Sequence, residues 1–380
     1  MQVPSRVVSG AIDADVSIAM RTVRMSISNH AVELLARPRR VIARLAFLSF
    51  VFVTAAASGG CTGGHALVRH ETAGLATVAW FGPDRVSDRV ELARWRRSVG
   101  PPLVRGTHAA GPRLTDSLTI VSWNIAVGGG DVFRLTEAVR GRIGRDAPIV
   151  LLLQEAYRHG DVPKTLLSDA ICAGRLVGVP PTGRRDDVAA LAAGLGLSAY
   201  YVPSMRNGAP RESDEDRGNA ILSNLPLTEL AAIELPFERQ RRVAVSATVS
   251  GLTSRGEAWR LRLVSAHLDN MVGVRRGWIA GAEYARARQA RGLVGLLDGE
   301  IPTVLGGDFN TWFGHSDQAY LEAARAFPQT PTNDDLPTFR GLLRLDHLFF
   351  RLPAGWRAEF RRENDRFGSD HHPLIATIRF

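Results

Sequence analysis

Apolar residues along this chain fall into short runs separated by Gly, Pro and polar residues, which is a strand-rich texture. SLTIVSWNIA (117–126) is rich in strand formers, and APIVLLLQE (147–155) reads as a strand buried on both faces. GNAILS (218–223), RRVAVSATVS (241–250), WRLRLVSAHL (259–268), IPTVLGGDFN (301–310), LRLDHLFF (343–350) and LIATIRF (374–380) repeat the style. Helical periodicity intervenes at about 131–145, 186–195, 282–297 and 317–326. Strands and helices mix without strict alternation. Sheet packed on sheet with outer helices accommodates that better than a doubly wound parallel sheet. No repeat of fixed period is visible.

A different pattern precedes these elements. Residues 45–57, LAFLSFVFVTAAA, carry no charge and follow Arg37, Arg39, Arg40 and Arg44. A basic stretch, a short apolar run and an A-x-A site at 55–57 predict an export signal. The run is too short for the ~20 residues of a membrane-spanning helix. Ser58, Gly59, Gly60 and Cys61 then resemble a bacterial lipoprotein box, with serine where leucine is usual. We therefore expect an exported protein attached to a membrane through a lipid on Cys61, with a plain cleaved signal or an uncleaved anchor as alternatives. Met25 is a candidate start. Residues 62–112 contain Gly, Pro and scattered Arg and read as a tether and N-terminal extension, with a short helix around 90–97. The expected organisation is an export segment at 1–61, that extension, and a main domain at 113–380.

Composition narrows the chemistry. Cys61 and Cys172 are the two cysteines, too few for a disulfide framework or a four-thiolate zinc site. Lys164 is the single lysine, so arginine carries the excess positive charge, and the net charge is +9. That balance is compatible with polyanionic partners without demonstrating them.

The informative feature is where polar residues meet apolar strands. Asn124 ends the first strand, Gln154 and Glu155 end the second, and His267 ends WRLRLVSAH. Asp308 and Asn310 follow IPTVLGG, Asp346 interrupts LRLDHLFF, and Asp370, His371 and His372 precede the last strand. Each alone is explained by a backbone group satisfied at a strand end. Together they would converge on one end of the sheets, where loops build active sites. Four of them, Glu155, Asp308, Asp346 and Asp370, are carboxylates that cannot all stay ionised in one place without compensation. A hard divalent cation with nearby histidines would supply it. Glu155 and Asp370, with the amide oxygen of Asn124 or Asn310, suit Mg²⁺, with Mn²⁺ as an alternative. The set lacks the compact His/Cys pattern of zinc.

Read in order, VSWNIA (121–126), LLLQEA (151–156), GNAILS (218–223), SAHLDN (265–270), GGDFN (306–310), LRLDHLFF (343–350) and SDHHPL (369–374) resemble the endonuclease/exonuclease/phosphatase superfamily. That superfamily includes pancreatic-type deoxyribonucleases, abasic-site endonucleases, bacterial sphingomyelinases and inositol-polyphosphate phosphatases. The resemblance spans roughly 117–380. It implies a four-layer α/β/β/α sandwich, with two packed mixed β-sheets and outer helices, and Mg²⁺-dependent phosphoester hydrolysis. It also implies that Glu155 is the main metal ligand, helped by Asn124, with Asp370 beside the metal. Asp308 would orient or deprotonate the attacking water, and Asn310 would hold a phosphate oxygen. His371 would pair with Asp346, and His267 would contact the phosphate or protonate the leaving oxygen. The choice of base between Asp308 and His371 stays open. His347 and His372 adjoin these positions and are expected to be structural.

Several details bear on the substrate. LLLQEAYRHG lacks the residues that usually follow QE in abasic-site endonucleases, and export also argues against DNA repair. Arg239, Arg241 and Arg242, with Arg286, Arg288 and Arg291, would grip a polyanion backbone if they faced the site. Trp312 would stack a base if it lined the groove. No hairpin of exposed aromatics stands out to favour a lipid substrate. The expectation is a monomeric phosphodiesterase acting on a phosphoester substrate, nucleic acid first. A sphingomyelinase-like enzyme or inositol-phosphate phosphatase comes next, and a non-catalytic phosphate-binding surface lipoprotein last. The anchor has a direct check. Cys61→Ser should release the protein from the membrane or stop its processing, and mass spectrometry should find a lipid on Cys61 of the mature wild-type chain. An unmodified chain beginning near Ser58 would instead mean simple secretion.

Overall fold

Fourteen strands and five α-helices are present among the residues that the computed structural model describes, namely 64–106, 113–163, 185–208, 213–270, 278–297, 299–330 and 336–380. The export segment, Cys61, Cys172 and Lys164 lie outside them. The first sheet holds β1 (His65–Ala73), β2 (Ala76–Pro83), β8 (Thr228–Glu234), β9 (Val243–Leu252), β10 (Ala258–His267), β11 (Thr303–Asp308) and β12 (Asp346–Arg351), in that spatial order. The second holds β13 (Arg357–Arg362), β14 (Leu374–Arg379), β4 (Ser117–Asn124), β5 (Ile149–His159), β7 (Glu215–Ser223), β6 (Ser198–Asn207) and β3 (Leu103–Arg105). Both sheets are mixed. β10 runs parallel to β11, and β4 runs parallel to β5.

The apolar runs explain the layering. In β5, Val150 and Leu152 join Ile120, Ile221, Leu263 and Val304 in a core between the sheets. Their neighbours Ile149, Leu151 and Leu153 point the other way, onto Leu135 and Val139 of α2 (Val132–Ile143) and Leu191 of α3 (Val188–Leu195). A strand covered on both faces has no polar side to show, hence the unbroken IVLLL. On the far side of the first sheet, α4 (Trp278–Leu296) and α5 (Gln318–Ala326) cover Val264, Leu305 and Phe349 with Ala290, Leu293, Ala319 and Ala323. The result is the expected α/β/β/α sandwich. Helix starts are fixed by acids: the Asp131, Asp187 and Asp317 side chains accept the backbone N–H of Arg134, Ala189 and Ala319.

Three expectations change. The stretch read as a tether contributes β1, β2, α1 (Val86–Arg96) and β3. β1 and β2 pair antiparallel, and β2 joins β8 in parallel, extending the first sheet, while β3 pairs with β6 in the second. Their apolar positions alternate weakly, and Leu67, Val68 and Leu75 remain exposed, which is why the sequence looked like linker. Asp346 opens β12 rather than interrupting a strand, since LRL lies in the preceding turn region. Glu155 does not end its strand. β5 continues to His159 past a bulge between Leu153 and Ala156.

The two sheets approach most closely at the GG of β11. A Cβ on Gly306 would stand 2.9 Å from Ser122 Oγ of the opposite sheet, and one on Gly307 would stand 1.9 Å from the Ala266 carbonyl oxygen of β10. Backbone cannot yield there without breaking the pairing of β10 with β11. Gly307→Ala should therefore destabilise the protein by about 3 kcal/mol or more, in the range of severe core lesions. Urea unfolding is the check, and a midpoint shift within error of zero would refute it.

Candidate active site

Strand register creates a row of three polar residues. His267 ends β10, Asp308 ends β11 and Asp346 begins β12, and each is the register partner of the next. Because β10 and β11 are parallel, both finish on the same side. β4 of the second sheet brings Asn124 to that place, where its Nδ2 donates to Asp308 Oδ2 at 2.9 Å. One hydrogen bond thus links the two sheets at the acid.

Asp308 is 2% exposed and surrounded by donors. Its Oδ1 accepts the Asn310 backbone N–H at 2.9 Å, and its Oδ2 lies 3.4 Å from His267 Nε2 and 3.8 Å from His371 Nε2. Burial, helped by the Asp346 charge, holds the Asp308 carboxyl above the usual carboxylate range against the opposing pull of His371. His371 Nδ1–H donates to Asp346 Oδ2 at 2.7 Å. Burial disfavours charge on this imidazole, but Asp346 and Asp308 together outweigh it and raise its pKa to about 10. His267 goes the other way: burial first, then the charges of Arg242 and His371, hold it well below the ordinary histidine range. Burial and neighbouring charge thus shift two adjacent imidazoles in opposite directions.

The loop carrying His371 is latched onto β4. Ser369 Oγ donates to the Asn124 carbonyl at 2.7 Å and accepts the His371 N–H at 3.1 Å, while Trp123 Nε1 donates to the His371 carbonyl at 3.0 Å. The Phe339 ring packs 4.8 Å from the His371 ring. Asn310 sits in the left-handed region at φ 51° and gives one amide proton to the Leu268 carbonyl at 3.1 Å. Asp370 is half-buried, with Oδ1 4.0 Å from His371 Nε2 and Oδ2 3.7 Å from Arg340 Nη2.

Glu155 lies in the β5 bulge at φ 53°, half-buried, beside the pairing of Asn124 with Gln154. The bulge re-aims its side chain out of the strand's alternation. The donor chemistry fits a divalent cation: Asp308, Asp346 and His371 offer ligand atoms within 4.8 Å of one another, and the buried Asp346 Oδ1 and Gln154 Oε1 have no hydrogen-bond partner among the described residues. Of the predicted metal set, Asn124 is drawn into the Asp308 cluster, while Glu155 and Asp370 stand outside that compact group.

Ser265 and Ser369 were not singled out in the sequence, and Gln154 was singled out only as a strand-end polar residue. Gln154 Nε2 donates to Ser265 Oγ, which donates in turn to the Leu153 carbonyl, a second polar tie between the sheets. Ser369 could have been noticed, since it directly precedes the Asp370, His371 pair. The basic clusters are a correction. Arg241 is buried against Glu234, Arg286 against Asp317, and Arg291 pairs with Glu322. Arg288 holds both Glu238 and Asp88. Arg241 and Arg286 are spent inside the fold, Arg288 is part-buried, and Arg291 pairs at the surface. Arg242 is the exception in position: it is buried within electrostatic reach of Glu155 and Asp308, and its Nη2 donates to Gln240 Oε1. His347 bonds to Thr311 Oγ1, and His372 to the Glu363 carbonyl, both away from the Asp308 cluster. Trp312 is half-buried in the turn after Asn310.

The four-layer sandwich gathers acids, an amide and two histidines where parallel strands end, a donor set suited to metal-assisted phosphoester hydrolysis. The chain belongs to the endonuclease/exonuclease/phosphatase family, whose model matches residues 121–371. Its structure is similar to that of an endonuclease/exonuclease/phosphatase from Beutenbergia cavernae DSM 12333, at 20% identity over 70% of this chain and 72% of that one, with a TM-score of 0.49. A family protein from Leptotrichia buccalis C-1013-b is similar at 15% identity, over 69% of this chain and 100% of the other, with a TM-score of 0.47. No curated protein sequence matches the chain.

The latch can be tested apart from chemistry. Ser369→Ala removes one donor and one acceptor from buried partners, so unfolding should become easier by about 1–3 kcal/mol. Amide exchange at His371 should accelerate. Unchanged exchange there would mean that Trp123 alone holds the loop.

Proposed function

We propose that this protein is an exported, divalent-metal-dependent phosphodiesterase, with nucleic acid as its first candidate substrate. The observation that carries the reading is the row of His267, Asp308 and Asp346, closed by His371. It supplies a buried acceptor for a water proton, an oriented imidazole and a second imidazole around one small space. Family membership supports phosphoester hydrolysis, and the positive charge of the chain, with Arg242 beside the acids, supports a polyanionic substrate.

Glu155 and Asn124, with Asp370, would hold the cation, Mg²⁺ or Mn²⁺. When bound, it would supply charge neutralisation on the phosphate and on the leaving oxygen. Asp308, fixed by Asn124 and the Asn310 N–H, aligns the attacking water and takes its proton. Asp346 fixes the tautomer and direction of His371, so that Nε2 faces the reacting phosphate rather than its own carboxylate partner. Asn310 presents its remaining amide proton to a phosphate oxygen. His267 stands beside Asp308 to contact the phosphate or the departing oxygen. A second metal reading rests on the compact group of Asp308, Asp346 and His371. It would use the atoms that the hydrogen bond between His371 Nδ1 and Asp346 Oδ2 leaves over, namely His371 Nε2 and Asp346 Oδ1, with Asp308.

Hydrolysis of a plasmid, of sphingomyelin and of an inositol polyphosphate should separate the substrate classes. EDTA should abolish activity and Mg²⁺ or Mn²⁺ should restore it. No activity on any of the three in either metal would sink the proposal. Glu155→Gln should weaken Mg²⁺ binding in calorimetry and lower turnover at limiting metal, whereas loss of binding in His371→Ala alone would favour the second reading.

Asp346 and His371 should act as one unit. His371→Ala should lower kcat/KM by ~10²–10⁴, and Asp346→Asn by a comparable factor. The double variant should be little worse than the poorer single one. Multiplicative losses at saturating metal, in folded variants, would assign Asp346 a separate role.

A further inference from the structure

Beyond the acid cluster, the described residues enclose a cavity of about 250 Å³ where the N-terminal strands meet the sandwich. Arg69 of β1, Trp80 of β2, Arg96 at the end of α1 and Arg241 just before β9 line it. None of the acids and histidines of the candidate active site does. Much of its wall lies outside the part of the chain that matches the family model, since β1, β2 and α1 precede residue 121.

The lining is rich in donors and in positive charge. Arg69 stacks 4.0 Å over the Trp80 ring, and Arg241 lies 5.8 Å from the same ring. Trp80 is 2% exposed, and its indole N–H is buried without a hydrogen-bond partner among the described residues. Two carboxylates answer three guanidinium groups. Glu71 takes Arg69 at 3.3 Å, and Glu234 is shared by Arg241 at 2.8 Å and Arg96 at 4.0 Å. One positive charge is left over in a part-buried place. Burial, then the Arg96 charge, pull Arg69 below the ordinary arginine range, as expected where guanidinium groups crowd together. Prolines 101, 102 and 203 close the rim and bring no backbone N–H of their own. Glu71 is the one carboxylate of the lining, and Arg69 already engages it. The group that meets the Arg69 and Arg96 guanidinium forks at once, and restores neutrality, is an oxyanion. The volume exceeds that of a lone tetrahedral anion and leaves room for a small organic substituent.

We propose that this cavity is a second anion site that takes a phosphate group, preferentially that of a small phosphate monoester, and that it lies apart from the hydrolytic centre. A ligand there would touch β1, β2, α1 and the segment before β9 together, so its occupancy would fasten the N-terminal addition to the sandwich.

The test is calorimetric titration of the full protein in EDTA, at constant ionic strength, with inorganic phosphate and with a nucleoside 5′-monophosphate as separate arms. Wild type should bind the monophosphate more tightly than free phosphate, and Asn310→Ala should keep that affinity. Arg69→Gln and Arg96→Gln should each weaken binding at least tenfold while leaving phosphoester hydrolysis unchanged. Binding should also slow amide exchange across β1 and β2. Equal affinity in wild type and both arginine variants would overturn the site, as would binding lost in Asn310→Ala or no binding at millimolar ligand. Tighter binding of free phosphate than of the monoester would overturn the preference for an ester.

Discussion

Asp308 is a carboxylate almost wholly removed from water, and much of the architecture exists to tolerate it. Its two oxygens receive an amide N–H from the opposite sheet, a backbone N–H from its own loop and the approach of two imidazoles. Each donor sits on a different element: β4, the turn after β11, the end of β10 and the segment before β14. A buried acid is costly unless such partners are in place, and deleting one partner of a buried charge commonly costs several kcal/mol. The sheets must therefore meet closely and in one register at this point. Gly306 permits that approach, and the Gln154 and Ser265 pair is a second tie between the sheets.

The same constraint separates the two histidines. His371 lies among the carboxylates of Asp346 and Asp308, while His267, beside Asp308, also meets the charges of Arg242 and His371, so burial is overruled for one and reinforced for the other. Neighbouring groups of one residue type thereby acquire different chemistry, the usual means by which a single site holds both a proton donor and a neutral partner. Ser369 and Trp123 hold the loop that makes this difference possible.

Arginine does two kinds of work in this molecule. Arg158 with Asp216, and Arg286 with Asp317, are buried pairs whose value lies in geometry as much as in energy. Around Trp80 the count is unbalanced, and the excess charge faces a cavity instead of a partner. That contrast separates structural arginines from a binding group better than the overall charge does. Among the described residues no helix is long and apolar enough to cross a membrane.

Much of the fold was legible in the sequence. Eight strands of the sandwich and four helices follow from apolar runs and helical periodicity, because those signals are local and strong. The candidate site residues Asn124, Glu155, His267, Asp308, Asn310, Asp346, Asp370 and His371 could be picked from the sequence, since each occupies a polar position beside an apolar run. Their grouping was decided by tertiary structure. Register placed His267, Asp308 and Asp346 in one row, and the second sheet added Asn124, while a bulge at Glu155 broke the alternation that would have predicted its direction. The arginines of α4 and of the stretch before β9 look alike along the chain, yet Arg241 is buried against Glu234, Arg286 against Asp317 across 31 residues, and Arg291 pairs at the surface. β1 and β2 carry too few apolar positions to announce themselves. They are strands because a neighbouring edge satisfies their backbone, and that is a property of the assembled sheet rather than of the segment.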